Sequence, residues 1–535
     1  MKSSRFILIG FFSVLLLFYG CTKLNEDVGA NLTQGQVTKD SAYVALLLQG
    51  VYSSLEWTFT SFLEVFALSE LTTDEAIAPT RGNNWDDNGI WRVLHQQKYD
   101  PNNSVIHDCF KSLSGVVYAA TDMLQYKPTA RQQAEARFLR AWAMYWLFDM
   151  YDQVPYRDPG ENTVQPARVR KGIEALQYII DEVTAVEADL PPGPADRANR
   201  YAAMALLMKC YLNKAVYVNR VNPPPPDKAD LNKVIKFADS IIESGQFTFS
   251  ENYFDNFSPT NSTDSHENIF TQASSFDGSF AIAGAWLTVL NYAQHGFNGF
   301  STLSDFYNKF DSTDKRRGFA YDYSTSPPNP GRRINVGFLI NQQYDLCVDT
   351  PLTSSGTNQA NPIPVIFTPD VHNTEPGPNI EMPGIRPIKY PPDWLNCDAI
   401  VPPPSDAFRN PPSNEFVYLG FSDVLLMKAE AILRGGTPTN AGAYGITPTS
   451  IVNAIRTDTS RGALPLASVS LENLLDERGR ELWWGNWRRQ DMIRFGTFLK
   501  PFEEKEYTSD SKYLLFPIPY EQLGVNPYLE QNPGY

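Results

Sequence analysis

Apolar residues at helical spacing constrain this chain more than any other sequence feature. Nine segments place apolar side chains three and four residues apart, which is typical of helices that pack on one side. Six of them precede the middle of the chain, at 42–55, 112–126, 134–151, 173–190, 201–217 and 231–244, and three follow it, at 421–436, 450–458 and 471–498. The connectors are short, so we expect stacked helical hairpins similar to tetratricopeptide units of ~34 residues. The predicted fold class is therefore mostly α.

The middle of the chain, about residues 245–415, has a different texture. It is rich in aromatic residues, Asn, Gly and Pro, and includes SPPNPG, VPPP and NPP. Such a segment predicts long ordered loops with short strands, on which binding residues collect. Helical repeats at about 40–245 and 415–500 bracket this loop-rich insert. We therefore expect one interlocked domain over 21–535 rather than separable domains.

The N-terminus, MKSSRFILIGFFSVLLLFYGC, has the pattern of a bacterial export signal. Lys2 and Arg5 precede an apolar run that is too short for a spanning helix and that ends before Cys21. A cysteine at this point resembles the acylation site of a bacterial lipoprotein, although Phe18 and Tyr19 depart from the usual letters. The alternative is an ordinary cleaved signal with an incidental cysteine. We predict a signal peptide at 1–20 and lipid attachment at Cys21.

Charge and cysteine content narrow the classes of function. The net charge of -15 repels phosphate backbones, so a nucleic-acid partner is not expected. The cysteines after Cys21 are far apart and form no CxxC motif, so no metal cluster is predicted. Cys109 and Cys210 lie in helical patterns and are predicted to be buried thiols. Cys347 and Cys397 lie in the proline-rich region, and whether they form a disulfide stays open.

Residues 478–496, RGRELWWGNWRRQDMIRFG, set three tryptophans among five arginines. On a continuous helix Trp487 and Arg494 share one side, whereas Arg488 and Asp491 share another. A helix that is apolar on several sides is buried, and its charges must then be paired. We expect Arg494 to lie over the Trp487 ring and Asp491 to pair with Arg488. The stretch is interpreted as buried scaffold rather than as a ligand platform.

Motifs for catalysis are missing from the sequence. It contains no GxGxxG, Walker loop, GxSxG or HExxH, and its five histidines are scattered. Glu477 and Glu481 are one helical turn apart beside Arg478 and Arg480, which favours a structural ion network over a pair of catalytic carboxylates. We therefore expect a protein that is not an enzyme and that carries no cofactor.

The segment NWDDNG begins with the rhythm of a calcium-binding loop. Asn84, Asp86, Asn88 and Gly89 stand at positions one, three, five and six of such a loop. Position twelve, which needs a glutamate, is His95. We prefer a polar turn that carries tryptophans, and calcium binding remains the alternative.

Several blocks of the sequence resemble the SusD/RagB family of Bacteroidetes surface lipoproteins. The chain departs from the family pattern at Gly485–Asn486, where Glu-Gly is usual, and at Gly420, where Arg is usual. The blocks follow the family's order along the chain, and they are EARFLRAWAMYWLFDMYDQVPY (135–156), FYNKFDSTDKRRGF (306–319), GIRPIKY (384–390), DVLLMKAEAILRGG (423–436), ERGRELWWGNWRRQDMIRFG (477–496) and YLLFPIPYEQLGVNPYLEQNPGY (513–535).

The resemblance implies a mostly helical fold with four tetratricopeptide-like repeats, held by lipid on the outer face of the outer membrane. It implies a partner, a SusC-like TonB-dependent transporter, over which the protein closes while it holds a glycan. The predicted function is the non-catalytic capture of an oligosaccharide or polysaccharide for import. Capture of a peptide, as in the RagB branch, is the alternative within binding, and a surface glycoside hydrolase is a less favoured alternative.

Family members bind sugars through aromatic side chains on loops, but those residues lie outside the shared blocks. We chose candidates by local chemistry, because aromatic rings stack on sugar faces while amides and carboxylates bond hydroxyls. Each candidate has a core position as its alternative, and we expect Trp85 to contribute little to the core. The candidates are Asn84, Trp85, Asp86 and Trp91 from the first loop and Trp286, Tyr292 and Phe297 from the insert.

Overall fold

The structure is a computed structural model that describes residues 41–273, 286, 288–294, 296–319, 334–344, 350–354, 362–391 and 413–535. The predicted signal peptide at 1–20 and the residues Cys21, Cys347 and Cys397 lie outside the described residues. Within the described part, no helix is both long enough and apolar enough to cross a membrane. That part likewise contains no cluster of His, Cys, Asp or Glu side chains able to hold a metal ion.

Helices are the main regular structure of the described chain, as the periodicity predicts. The N-terminal helices are α1 (Ser41–Thr60), α2 (Val65–Glu70), α3 (Ile90–His95), α4 (Ser104–Leu124), α5 (Ala130–Tyr151), α6 (Gly172–Val186), α7 (Arg200–Val218) and α8 (Lys228–Glu243). Two single-turn helices lie in the insert, α9 (Asn261–Asp264) and α10 (Ser304–Tyr307). The C-terminal helices are α11 (Phe421–Leu433), α12 (Pro448–Arg456), α13 (Leu471–Leu482), α14 (Arg488–Arg494) and α15 (Tyr520–Val525).

The long helices pack on one another in a continuous series. Helix α1 packs on α4, α4 on α5, α5 on α6, α6 on α7 and α7 on α8. Helix α8 then packs on α11, and α11 packs on α12 and α13. The series therefore continues from α8 to α11 across the insert. This arrangement confirms the predicted mostly helical fold of hairpin repeats.

The strands are short and pair in small antiparallel sheets. The strand β1 (Ala76–Ile77) pairs with β5 (Ser301–Thr302) of the insert, and β2 (Gln153–Tyr156) pairs with β3 (Arg168–Lys171). The strand β4 (Asn268–Gln272) pairs with β11 (Phe416–Gly420), which leads directly into α11. The remaining strands are β6 (Gly318–Phe319), β7 (Val336–Leu339) and β10 (Arg386–Ile388) in one sheet, and β8 (Asn341–Gln342) with β9 (Ile366–Phe367) in another.

Local sequence signals account for the beginning of α5 and for two buried thiols. The Thr129 side chain accepts a hydrogen bond from the Gln132 backbone N–H, and the Gln132 side chain accepts from the Thr129 backbone N–H. This capping box satisfies two backbone donors at the start of the helix. Cys109 and Cys210 are free and buried, as predicted.

The C-terminal tryptophan segment is buried, but it is not one helix. Helix α13 ends at Leu482 and α14 begins at Arg488, because Trp484 and Asn486 between them have φ of 53° and 71°. The left-handed backbone breaks the helical ladder. The prediction of a continuous helix over 471–498 was therefore wrong, while the prediction of a buried scaffold is supported by the burial of all three tryptophans.

The charged residues of this segment have partners from elsewhere in the fold. Lys209, rather than Arg494, lies over the Trp487 ring, with its Nζ 3.5 Å from the ring centroid. Arg488 pairs with Asp74 through two hydrogen bonds of 2.7 Å, and Asp491 pairs instead with Arg478 and Arg494. Both expected contacts were wrong, because Lys209, Asp74 and Arg478, which lie elsewhere in the sequence, take the expected partners' places.

Glu477 and Glu481 lie in a buried network of arginines, as predicted. Arg316 donates from Nη1 to Glu477 Oε1 at 2.7 Å and to Glu481 Oε2 at 2.8 Å, and its side chain has no exposed surface. Arg456 donates to Glu477 at 2.6 Å, and Arg461 donates to Glu481 at 2.5 Å. Burial alone would raise the pKa of Glu477, but the surrounding guanidinium groups outweigh burial and lower that pKa to about 2.

Trp487 gives a direct test of the buried scaffold. Its ring centroid lies 4.9 Å from that of Trp146, and its Nε1 donates to the Tyr418 carbonyl at 3.2 Å. We expect Trp487→Ala to lower the free energy of unfolding by ~3–5 kcal/mol, because the change leaves a large cavity. Urea denaturation measures the effect. Tyr520→Ala, at an exposed aromatic residue, is the control. Equal losses in the two variants would contradict the assignment of Trp487 to the core.

The raised pKa of Glu64 predicts a specific pH dependence of the free energy of unfolding. Burial raises its pKa to about 7, although its Oε1 accepts hydrogen bonds from Trp57 Nε1 and Ser112 Oγ, each at 3.0 Å. The folded state therefore keeps a proton that the unfolded chain releases near pH 4.5. The resulting stabilisation is complete below that pH and is lost as the pH rises through 7, by about 2–3 kcal/mol.

The variant Glu64→Gln isolates this contribution. Its amide oxygen can still accept both hydrogen bonds, but the side chain no longer titrates. The free energy of unfolding should therefore fall less between pH 5 and pH 8 in Glu64→Gln than in the parent protein. The control is Glu251→Gln, at an exposed position. Identical pH profiles for the parent and Glu64→Gln would show that Glu64 is ionised in the folded state.

Candidate ligand-binding site

The loop between β1 and α3 carries the first group of candidate residues and has a strained backbone. Arg81 and Asn84 exchange backbone hydrogen bonds of 2.9 and 3.1 Å around a tight turn, in which Gly82 has φ of +65°. Trp85, Asp87 and Asn88 then have φ of 58°, 38° and 55°. Left-handed conformations cost free energy in residues other than glycine, and they cluster at functional sites. The loop is therefore a candidate site on backbone geometry alone.

Trp85 is held against a second loop that lies more than 200 residues further along the chain. Its Nε1 donates to the Phe297 carbonyl at 2.8 Å, and its ring centroid lies 5.2 Å from that of Phe300. The ring also lies against the backbone of Gly299, where a Cβ atom would collide with it. Glycine is therefore required at 299 for Trp85 to occupy this position.

Phe297 and Tyr292 belong to the loop that meets this turn, since the Phe297 carbonyl binds the Trp85 indole and Tyr292 lies beside Asn84. Phe297 is 45% exposed, and Tyr292 and Trp85 are half-buried. The Tyr292 phenol lies beside the side chain of Asn84, which is exposed. The structure thus brings together Asn84, Trp85, Tyr292 and Phe297, four of the seven predicted ligand-binding residues. We call these four residues the aromatic platform.

The other three candidates have different positions. Trp91 is 5% exposed, lies behind Trp85 at a centroid distance of 5.7 Å, and donates from Nε1 to Asp87 at 2.6 Å. Trp91 therefore supports the aromatic platform from below, and we no longer propose it as a ligand contact. Asp86 is partly exposed and accepts a hydrogen bond of 2.6 Å from Arg92. It remains a candidate at the edge of the platform.

Trp286 is directed elsewhere. Its Nε1 donates to the Tyr390 carbonyl at 2.5 Å, and its half-buried ring packs against the main core. Among the described residues, no contact shown by the structure joins its side chain to the aromatic platform. The core position, which we considered equally for this residue, is the one that the contacts favour.

The packing of Trp85 also differs from the expectation that this residue contributes little to the core. Its ring contacts Trp91 and Phe300 and packs against the main hydrophobic core. The polar neighbours suggested a ring surrounded by water, but the folded chain brings Gly299 and Phe300 against one of its faces. That expectation was wrong, and removal of the ring should therefore reduce stability as well as any binding.

Two buried arginines, which we did not single out in the sequence, fix the loops beneath the platform. Arg81 donates to the carbonyls of Asn298, Ile380 and Pro383 at 3.0, 2.7 and 2.8 Å. Arg386 donates from Nη2 to the Asn298 side chain at 2.9 Å. These bonds join three loops that are distant in sequence. Arg386 lies in the block GIRPIKY, but no feature of the neighbouring sequence indicated which residues Arg81 and Arg386 would bind.

The electrostatics of this arginine pair follow from burial. Burial lowers the pKa of Arg81 to about 10, and burial together with the nearby Arg81 charge lowers that of Arg386. Glu375 lies 3.7 Å from Arg81 and counters part of the charge. Burial followed by the Glu381 carboxylate raises the pKa of Tyr292, so the phenol keeps its proton near neutral pH. The phenol and the Asn84 amide can therefore both exchange hydrogen bonds with a neutral ligand.

This arrangement has the chemistry of a binding surface. Exposed aromatic rings can stack on the C–H faces of a sugar, while amide, phenol and carboxylate groups bond its hydroxyls. The Trp85 ring is held by a backbone hydrogen bond and by packing from below, so this ring would lose little conformational entropy on binding.

The C-terminal part of the chain, residues 409–535, matches the model of the SusD family. The chain is also 24% identical over 448 residues to the starch-binding protein SusD of Bacteroides thetaiotaomicron, and the match covers 76% of this chain and 73% of that protein. Since this chain spans most of the length of SusD, the similarity is not limited to the C-terminal part.

Solved structures show the same fold. A SusD superfamily protein from Parabacteroides distasonis has a TM-score of 0.67 at 19% identity, with coverage of 94% of this chain and 100% of that one. Surface glycan-binding protein A from Bacteroides thetaiotaomicron, in complex with laminarihexaose, has a TM-score of 0.62 at 16% identity, with coverage of 92% and 99%. The chain therefore has the SusD-like fold, and its predicted resemblance to the SusD/RagB family is confirmed.

Proposed function

We propose that the protein captures an oligosaccharide or polysaccharide on the aromatic platform without chemical conversion. The proposal rests on one observation. Asn84 and Trp85 lie against Tyr292 and Phe297, which belong to a loop more than 200 residues away in the sequence. Their rings and polar groups form one partly exposed surface. Stacking on rings combined with hydrogen bonds to hydroxyls suits sugars better than it suits nucleic acids, which the charge of -15 repels.

The similar proteins support this choice of ligand. SusD of Bacteroides thetaiotaomicron is named for starch binding, and one of the structures of the same fold holds laminarihexaose. Both ligands are neutral glucans, and the platform offers rings and hydrogen-bonding groups that suit such a ligand. The absence of catalytic motifs in the sequence agrees with binding rather than hydrolysis.

We also propose that the protein acts at the cell surface beside a transporter. Cys21 would carry the lipid, since it ends the apolar run of the export signal. Two or three acyl chains would hold the folded domain on the outer membrane, because each buried methylene contributes ~0.8 kcal/mol. A SusC-like TonB-dependent transporter would then receive the captured glycan.

The aromatic platform is tested most cleanly at Phe297. Its ring is exposed and its backbone carbonyl, rather than its side chain, holds Trp85. Phe297→Ala should therefore weaken glycan binding by roughly five- to thirtyfold, the range for loss of one aromatic contact, with an unchanged melting temperature. Trp85→Ala should weaken binding and also lower the melting temperature. Calorimetry with laminarihexaose and affinity electrophoresis in soluble starch measure binding.

The matched control for Phe297→Ala is Tyr520→Ala, which removes an exposed aromatic ring on α15. It should leave binding unchanged. A mixture of casein peptides forms the second arm of the experiment. Binding of the peptides in place of both glucans would overturn the proposed ligand class, and equal affinities for the parent and Phe297→Ala would remove the platform from the site.

The lipid anchor is tested at Cys21. We expect Cys21→Ala to be exported but released from the membrane, because no acyl chain can then be attached. Cell fractionation after a high-salt wash, followed by immunoblotting, measures the distribution. The control is Cys109→Ala, which removes a buried thiol without affecting attachment. A Cys21→Ala protein that stays with the membranes would show that lipid on this residue is not the anchor.

A further inference from the structure

A second concave site lies apart from the aromatic platform, between the end of α7 and the C-terminal segment. This cavity has a volume of about 290 Å³, near the lower end of the ~300–1,000 Å³ that is usual for small-molecule sites. Its wall combines the side chains of Arg220 and Lys512 with those of Val221, Leu514 and Pro533. We call it the C-terminal cavity.

Arg220, one of the two cations of the C-terminal cavity, has a weaker carboxylate partner than the buried Arg494 has. Arg494 is matched by Glu430 through two hydrogen bonds of 2.7 and 2.8 Å. Arg220 instead contacts Asp152 through a single nitrogen at 3.3 Å. Its Nη1 is buried and, among the described residues, has no hydrogen-bond acceptor. The positive charge of Arg220 is therefore only partly matched by its carboxylate neighbour.

Lys512 has no carboxylate within ion-pair distance among the described side chains. Its Nζ donates to the Gly534 carbonyl at 3.4 Å and lies 5.0 and 4.9 Å from the ring centroids of Tyr513 and Tyr535. Asp510 lies on the cavity rim, but its Oδ1 accepts from the Lys512 backbone N–H at 2.9 Å and so serves the start of a short 3₁₀ turn. The ammonium group is thus available to an added anion.

The position of Arg220 is fixed from behind. Its Nη2 donates to the Phe148 carbonyl at 3.0 Å, its guanidinium lies 4.8 Å from the Tyr217 ring centroid, and its side chain is only 8% exposed. A cation held in this way is preorganised, so an anion that binds beside it need not order a long flexible side chain. The apolar wall would at the same time cover the C–H surface of a compact ligand.

We propose that the C-terminal cavity binds a small carboxylate-bearing molecule, of the size of one hexuronic acid. Arg220 and Lys512, whose positive charges are not fully paired, attract the carboxylate. The apolar wall contacts the remainder of the ligand. A neutral sugar would leave the ammonium of Lys512 without a new partner and should therefore bind more weakly. The site is separate from the aromatic platform, so the two can be tested independently.

The experiment is a saturation-transfer NMR titration of the mature protein with D-glucuronate, and with D-glucose as the uncharged comparison. We expect saturable binding of glucuronate and at least fivefold weaker binding of glucose. Succinate, as a carboxylate without a sugar ring, shows whether the carboxylate alone suffices. Saturable binding of succinate would support recognition of the carboxylate, whereas equal binding of glucose and glucuronate would overturn the proposal.

Variants locate the binding. Lys512→Gln should weaken glucuronate binding roughly fivefold or more, whereas Lys512→Arg, which keeps the positive charge, should retain it. Lys236→Gln, at an exposed position on α8, removes the same charge elsewhere and should have no effect. Phe297→Ala should not affect glucuronate binding, since it lies on the platform. Equal weakening in Lys512→Gln and Lys236→Gln, or in neither, would overturn the assignment to this cavity.

Discussion

The buried network around Glu477 and Glu481 is the constraint on which the arrangement of the insert depends. Arg316 of the insert donates to both carboxylates, and Arg461 joins Glu481 to Glu267, which precedes β4. Ionised groups without solvent require partners, and removal of one partner from a buried pair typically costs ~3–5 kcal/mol. The insert therefore has one favourable position against the C-terminal helices. A displaced insert would leave buried charges unmatched, which makes the network selective for this arrangement.

The aromatic platform depends on a second, smaller constraint of the same kind. Arg81 and Arg386 bond backbone carbonyls at Asn298 and at 380–384, and both contact the Ser301 hydroxyl. Carbonyls accept these bonds only when the loops are correctly placed, so the arginines hold the loops in register. That restraint offsets the cost of the left-handed backbone at Trp85, Asp87 and Asn88. A rigid loop presents its rings without an ordering cost at the moment of binding.

The helical repeats could be predicted from the sequence because periodicity is a local property that each segment carries by itself. The same reasoning identified Trp487 as buried, because the segment has apolar residues on several sides of a helix. It failed on the shape of the segment and on its charge pairs. Gly485 and Asn486 are turn signals, and they determine the local structure here more strongly than the apolar pattern does. The partners of Arg488 and Asp491 could not be predicted, because Asp74 is more than 400 residues from Arg488 and only the folded chain brings them together.

The candidate site shows which features of a binding surface the local sequence can predict and which it cannot. The sequence of the polar turn and of the insert predicted Asn84, Trp85, Tyr292 and Phe297 as ligand contacts. Neither segment indicated that these residues would lie close together in the fold. Their meeting requires a residue without a Cβ at 299, where the Trp85 ring contacts the backbone directly. The core ends at Phe300 beneath this contact, and the rings above it lie on loops rather than in the helical repeats. A change of aromatic residue above Phe300 would therefore alter the surface offered to a ligand without disturbing the charged network that holds the insert.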